Sequence, residues 1–237
     1  MGFPMLKIAV FADGANREAM IKRYEEGFVK GFTTNPTLMN KAGITDYEAF
    51  AKSVLETIKT LPISFEVFSD EFDEMEKQAK KIGAWASNVN VKIPITNTRG
   101  ESALPLIRRL FDQGLRLNIT AILAEEQIAG LRKILKPGDD AIVSVFAGRI
   151  ADSGRDPMPI MRKAVRDYQG LPKAKILWAS PREVLNIYQA EDCGCHIITA
   201  TDDLIVKLPL KGKPLADYSL DTVKMFYHDA QKAGFTL

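Results

Sequence analysis

Short apolar runs alternate with amphipathic segments along the chain. Eight runs read as strands: Lys7–Ala12, Val29–Thr33, Ile63–Phe68, Val89–Ile93, Leu115–Thr120, Ala141–Phe146, Ala174–Trp178 and His196–Thr199. They are rich in Val, Ile and Phe. Several are apolar at nearly every position, the pattern of parallel strands buried on both faces. The segments between them have helical spacing. Asp46–Thr60 places Phe50, Val54 and Ile58 on one face, Asp70–Trp85 places Met75, Ala79 and Ile82, and Arg99–Asp112 places Ala103, Ile107 and Phe111. These spacings predict helices, with Asp46 and Asp70 at N-cap positions. Gly114, Gly138 and Gly194 punctuate helix ends and loops.

Parallel neighbours need right-handed crossovers, and eight strand–helix units in 237 residues favour a closed (β/α)8 TIM barrel, an α/β fold. The alternative is an open doubly wound sheet. That fold usually carries a glycine-rich phosphate fingerprint after its first strand, whereas Asp13-Gly14-Ala15-Asn16 is not GxGxxG. A further amphipathic helix, about Ser219–Ala233, is extra to the eight units. With no linker or low-complexity stretch, the expected organisation is one domain over residues 1–237.

In such a barrel the carboxyl ends of the strands meet on one face, where active sites are built. Polar residues collect at those ends: Asp13, Thr34, Asn35, Glu66, Lys92, Asn118, Thr120, Ser144, Arg149, Ser180 and Arg182. One such residue reads as a loop or capping group; the set reads as a site. Lys92 interrupts the strand-like Val89-Asn90-Val91-Lys92-Ile93-Pro94. A lysine directed into a barrel is desolvated, which favours the neutral amine that Schiff-base chemistry requires. The bland alternatives are an outward-facing lysine or a static ion pair with Glu66 or Asp13. Those two carboxylates could move protons during imine chemistry, directly or through one water. Arg149 and Arg182 suit a phosphate, in a region where barrels often bind one. Taken singly, each arginine reads equally well as a surface ion-pair partner.

Composition narrows the partners. The formal net charge is +2 without a dense basic run, so neither nucleic acid nor an acidic membrane surface is implied. No apolar stretch is long enough to span a bilayer and the first residues do not read as a signal peptide, which predicts a cytoplasmic protein. Cys193 and Cys195 lie too close for an ordinary disulfide and do not form CxxC; they read as two buried thiols. His196 and His228, the only histidines, have no metal-binding spacing, so no metal site is expected.

Several segments together resemble the transaldolase family, in particular its small single-barrel branch of fructose-6-phosphate aldolases and transaldolases. They are Thr33-Thr34-Asn35-Pro36-Thr37-Leu38, Glu66-Val67, Val91-Lys92-Ile93-Pro94-Ile95-Thr96, Asn118-Ile119-Thr120, Ser144-Val145-Phe146-Ala147-Gly148-Arg149-Ile150 and Ala179-Ser180-Pro181-Arg182-Glu183. They occur in family order from about Ala12 to Thr199. The resemblance implies Lys92 as the Schiff-base lysine and Asp13 as the acid–base group at a sugar hydroxyl. Glu66 and Thr120 would hold the catalytic water. Asn35, with Thr34 beside it, Asn118 and Ser144 would bind the dihydroxyacetone unit, and Arg149, Ser180 and Arg182 the phosphate. It further implies carbohydrate metabolism of the pentose phosphate kind, no metal or organic cofactor, and a homo-oligomer, a pentamer or decamer, that the last helix could join.

The aldolases of that branch, which release free dihydroxyacetone, tend to have Gln where Glu66 stands and Tyr where Phe146 stands. Both residues here match the transferases. The chain departs from common patterns at Gly14, where Ser or Thr usually follows the aspartate, at bulky Phe65, and at Arg99, an additional charge near the mouth. A transaldolase for a modified ketose, such as a sulfonated one, keeps the same chemistry with another donor. From a different class, a catalytically silent barrel serving as a binding or assembly module would not need the lysine, carboxylates and anion site.

Overall fold

The computed structural model describes residues 2–236. Its strands are β1 (Ala9–Asp13), β2 (Gly31–Thr33), β3 (Ile63–Glu66), β4 (Val89–Pro94), β5 (Leu117–Ile122), β6 (Ala141–Val145), β7 (Ala174–Trp178) and β8 (Ile197–Thr201). Each pairs in parallel with its sequence neighbours, and β8 closes on β1 to complete the barrel. The helices are α1 (Arg17–Glu25), α2 (Pro36–Lys41), α3 (Tyr47–Leu55), α4 (Phe72–Gly83), α5 (Leu104–Asp112), α6 (Glu125–Ile134), α7 (Ala147–Asp152), α8 (Met158–Asp167), α9 (Leu185–Asp192), α10 (Asp202–Ile205) and α11 (Leu215–Ala233).

Alternation along each strand divides the side chains between two cores. In β4, Val89, Val91 and Ile93 join the layer between strands and helices, while Lys92 faces the barrel cavity. In β5, Leu117 and Ile119 pack outward, and Asn118 and Thr120 face inward. The lower interior is filled by Phe11, Ile142, Leu177 and Ile197, which Ala179 joins from the cavity wall. Phe11 fits because its neighbour in register is Gly31. A Cβ on Gly31 would lie 2.5 Å from the Phe11 ring. The barrel is thus plugged below and polar above.

The elements differ from the sequence expectation mainly at their ends. Asp46 caps α3 as predicted, its carboxylate accepting Ala49 N–H at 2.9 Å. Asp70 does not cap α4. Glu71 holds that position, and Asp70 accepts the backbone N–H and hydroxyl of Thr98, both at 2.7 Å. The helix predicted from Arg99 begins at Leu104, because residues 96–102 fold into a loop closed by a Thr96–Ser102 bridge. Arg99 ties this loop down through Glu71 and Glu101, at 2.7 and 3.0 Å, and stays outside the cavity. The terminal helix begins at Leu215 rather than Ser219 and buries none of its residues. No helix among the described residues is long and apolar enough to cross a membrane.

Candidate active site

The strand ends surround a cavity of about 600 Å³. Its floor is made by β3, β4 and β5 on one side and β1, β2 and β8 on the other. Lys92 rises from β4 with only 6% exposure. Its Nζ donates to the Thr34 carbonyl at 2.8 Å and lies 3.0 Å from Glu66 Oε2. Register explains the second contact, since Glu66 and Lys92 are Cα partners on adjacent strands. A lysine this deep is tolerated because it has both a carboxylate and a carbonyl.

Asp13 comes to the cavity from the end of β1. Burial raises its carboxyl above the ordinary aspartate range, against the opposing pull of Lys92 and a hydrogen bond from Thr33. Thr33 donates to Asp13 Oδ1 at 2.7 Å, and its hydroxyl also meets that of Thr199. With Thr33 donating to Asp13, Thr199 donates to Thr33. The result is a short hydroxyl chain ending on the carboxylate.

A second buried chain crosses the floor. Ser144 donates to Asn118 Oδ1 at 2.6 Å, and Asn118 Nδ2 donates to Ser64 at 3.0 Å. Next to it the β5–β6 register slips between Ile119 and Ile122, and Ala121 takes a φ of 61°. Such an irregularity re-aims the side chain beside it. Here it accompanies Thr120, a cavity-lining residue whose buried hydroxyl has no hydrogen-bond partner among the described residues.

The rim comes from β2, β6 and β7. Asn35 caps α2, with its Oδ1 accepting Leu38 N–H at 2.9 Å, so its amide nitrogen remains for a ligand. Phe146 precedes α7, and the Arg149 guanidinium sits 5.7 Å from its ring centroid. Gly148 is required by close approach, because a Cβ there would fall 1.5 Å from the Ser180 carbonyl oxygen. That crossing holds the β6 and β7 loops together at Ser180, whose φ is 58°. Arg182 is exposed and bound along one edge by Asp152: Nε donates at 3.0 Å, and Nη2 makes a second bond. Arg182 holds the Asp152 carboxyl below its usual range.

The fold thus gathers Asp13, Asn35, Glu66, Lys92, Asn118, Thr120, Ser144, Phe146, Arg149, Ser180 and Arg182 around one cavity. Thr34 is the correction. Its buried side chain turns away from the cavity and donates to the Ser64 carbonyl at 2.9 Å, and its neighbour Thr33 lines the site instead. The alternation rule carries this signal, since Gly31 and Thr33 share a face. Thr199 also lines the cavity, a position the strand-end pattern does not single out. The two-residue spacing from Ile197 is the signal that places it inside. The cysteines are free and buried, and burial pushes both thiols up. His196 accepts Ile176 N–H at 3.0 Å. Among the described residues no His, Cys, Asp and Glu cluster could hold a metal.

Comparison with known proteins gives a consistent result. Residues 10–237 match the family described as transaldolase/fructose-6-phosphate aldolase. A probable transaldolase of Dehalococcoides mccartyi is 33% identical over 221 residues, covering 90% of this chain and 96% of that one. Probable transaldolase 2 of Listeria monocytogenes is 34% identical over 216 residues, 89% and 94% of the two chains. Among solved structures, a 2,3-dimethylmalate lyase superposes with a TM-score of 0.57 at 14% identity, covering 97% of this chain and 84% of that one. The last likeness concerns the fold alone.

Proposed function

The chain belongs to the transaldolase/fructose-6-phosphate aldolase family, and from that premise we propose that it transfers a dihydroxyacetone unit between sugar phosphates through a Schiff base on Lys92. The observation that carries this reading is the buried Lys92 amine, 3.0 Å from the Glu66 carboxylate at the base of the cavity.

Lys92, after passing a proton to Glu66 across their 3.0 Å contact, attacks the ketone carbon of a ketose phosphate such as fructose 6-phosphate or sedoheptulose 7-phosphate. Glu66, now protonated and acting directly or through a cavity water beside Thr120, protonates the departing oxygen, and water leaves the carbinolamine. Asp13, raised by burial and therefore a better base than an ordinary aspartate, takes the proton of the hydroxyl beyond the scissile bond. The carbon–carbon bond breaks, its electron pair passes into the protonated imine, and an aldose phosphate leaves. The remaining enamine attacks the aldehyde of an acceptor aldose phosphate. Asp13 returns the proton, and water with Glu66 hydrolyses the new imine. Asn35, Asn118 and Ser144 hold the hydroxyls of the three-carbon unit. Arg149, Ser180 and Arg182 hold the phosphate at the rim.

Transfer is favoured over release of free dihydroxyacetone by Phe146, which lines the cavity without a hydroxyl to protonate the enamine. A homo-oligomer is part of the proposal. It is supported by α11, where Leu220, Val223, Phe226 and Tyr227 are exposed on a helix with no buried residue. The test is borohydride reduction with fructose 6-phosphate, mapping of the modified lysine, and product analysis with and without erythrose 4-phosphate. An adduct on Lys92 and acceptor-dependent sedoheptulose 7-phosphate are expected. An adduct elsewhere, or none, overturns the assignment.

A further inference from the structure

The ladder between β2 and β3 breaks one rung early, and that break is where Lys92 is held. Phe32 N–H donates to the Pro62 carbonyl at 2.9 Å, and Thr34 N–H donates to the Ser64 carbonyl at 3.1 Å. In a parallel ladder the next rung would run from Glu66 N–H to the Thr34 carbonyl. That bond is not made. Glu66 N–H donates instead to the Tyr47 hydroxyl, and the same hydroxyl donates back to the Glu66 carbonyl, both at 2.8 Å. The Thr34 carbonyl, released from its rung, accepts Lys92 Nζ at 2.8 Å.

From this exchange we infer that Tyr47, outside the cavity, is the positioning residue for both members of the Lys92–Glu66 pair. Its phenol substitutes for the missing rung by acting as acceptor and donor at one residue. It thereby fixes the backbone of Glu66 and keeps the Thr34 carbonyl available to the amine. The ring is well anchored for this task. It packs edge-on against Phe65 and Phe68, with centroids at 6.3 and 5.5 Å, and lies 6.0 Å from Trp85. Burial raises its hydroxyl above the ordinary tyrosine range, so it stays protonated and can donate.

Tyr47→Phe keeps the ring and removes both hydrogen bonds. The ladder register then offers Glu66 N–H the Thr34 carbonyl, and closing that rung sets it in competition with Lys92 Nζ for the same oxygen. The inference rests on the Schiff-base reading, and its distinctive consequence is a defect in imine formation rather than in all steps. The experiment measures the single-turnover rate of borohydride-trapped adduct on Lys92 with fructose 6-phosphate. Alongside it are the rate of transfer from the preformed enamine to erythrose 4-phosphate, and thermal melting. Trp85→Phe serves as the control, since it trims the same aromatic cluster without touching Glu66.

Tyr47→Phe should slow trapping by about ten- to a hundredfold, the scale expected when a reacting group is misplaced. The enamine transfer rate should change little, and Trp85→Phe should trap within about twofold of the unmutated protein. Trapping by Tyr47→Phe at the unmutated rate overturns the inference. So do equal losses in both variants, or trapping and transfer falling in parallel, each of which marks a purely structural role. Failure of the unmutated protein to form any adduct on Lys92 would instead overturn the Schiff-base reading.

Discussion

The floor and the rim of the cavity solve different problems. On the floor, Lys92, Thr33, Asn118 and Ser144 are buried and already joined in hydrogen-bonded chains. On the rim, Arg149 and Arg182 are exposed, and Arg182 rests on an exposed Asp152. Exposed ion pairs contribute only about 0–1 kcal/mol, so an arriving anion can share or displace that contact at small cost. Groups on the floor need no rearrangement, which is the condition under which fixed dipoles and charges act most strongly on a reaction. In the proposed mechanism, chemistry is therefore concentrated on the buried, hydrogen-bonded floor, and recognition of the substrate's charged end on the exposed rim.

The severest break of this contrast is Lys92→Arg. Charge is kept, yet guanidinium cannot form an imine, so turnover and the borohydride adduct should both vanish. Retained turnover would show that the floor needs a cation rather than a nucleophile at that point.

Asp13→Asn comes next. Loss of a general acid–base group costs roughly 10²–10⁴ in rate. The same substitution should stabilise the fold. The folded protein holds the Asp13 proton more tightly than the unfolded chain does, because burial raises its pKa from 3.8. The unmutated carboxyl is therefore a liability that is absent below the unfolded pKa and complete once pH has risen through the folded one. Asn should be the more stable protein at neutral pH, and the gain should shrink as pH falls through the carboxylate range. Paired melts of the two proteins from pH 7 to pH 4 measure it. A constant difference across that range would remove the titration from the explanation.

Much of the contrast between floor and rim is legible in the amino-acid sequence. The eight apolar runs place the strands. Lys92, Glu66 and Asn118 stand out because a polar side chain inside such a run must face something other than a hydrophobic layer. Adjacent threonines are harder. Thr33 and Thr34 differ in no chemical property, and only the two-residue period from Gly31 says which one enters the barrel. Asp152 and Tyr47 carry no local signal, because each acts across a fold-dependent contact, on Arg182 and on Glu66, from sequence positions far away. Asp70 departs from its local pattern for the same reason, since the Thr98 loop takes the carboxylate that the pattern assigns to a helix cap.

A smaller effect is expected at the rim. Arg182→Ala should weaken use of phosphorylated donors by about tenfold, near 1.5 kcal/mol, the low end for charge-assisted bonds because this guanidinium is exposed. Arg149→Ala should behave likewise. Both should leave use of an unphosphorylated ketose nearly unchanged, read as kcat/KM for the paired substrates. Equal losses on the two substrates would extend the floor to include these residues.

Phe146 stands where floor and rim meet. Its ring lies beneath the Arg149 guanidinium and lines the cavity, two residues after Ser144 on the same face. It has nothing to donate, so an enamine on Lys92 would persist until an acceptor aldehyde arrives. A phenol at this position could protonate the enamine or order a water beside it, and dihydroxyacetone would then leave as the free ketone. Phe146→Tyr should accordingly raise the ratio of release to transfer by about an order of magnitude, a barrier difference near 1.4 kcal/mol. The measurement follows dihydroxyacetone and sedoheptulose 7-phosphate separately from fructose 6-phosphate, with and without erythrose 4-phosphate. The added oxygen changes little else, because the ring keeps its place under Arg149 and phosphate recognition remains at the rim. An unchanged ratio would mean that acceptor binding, and not proton supply at position 146, decides the fate of the enamine. In that case the exposed rim, rather than the floor, would separate transferase from aldolase.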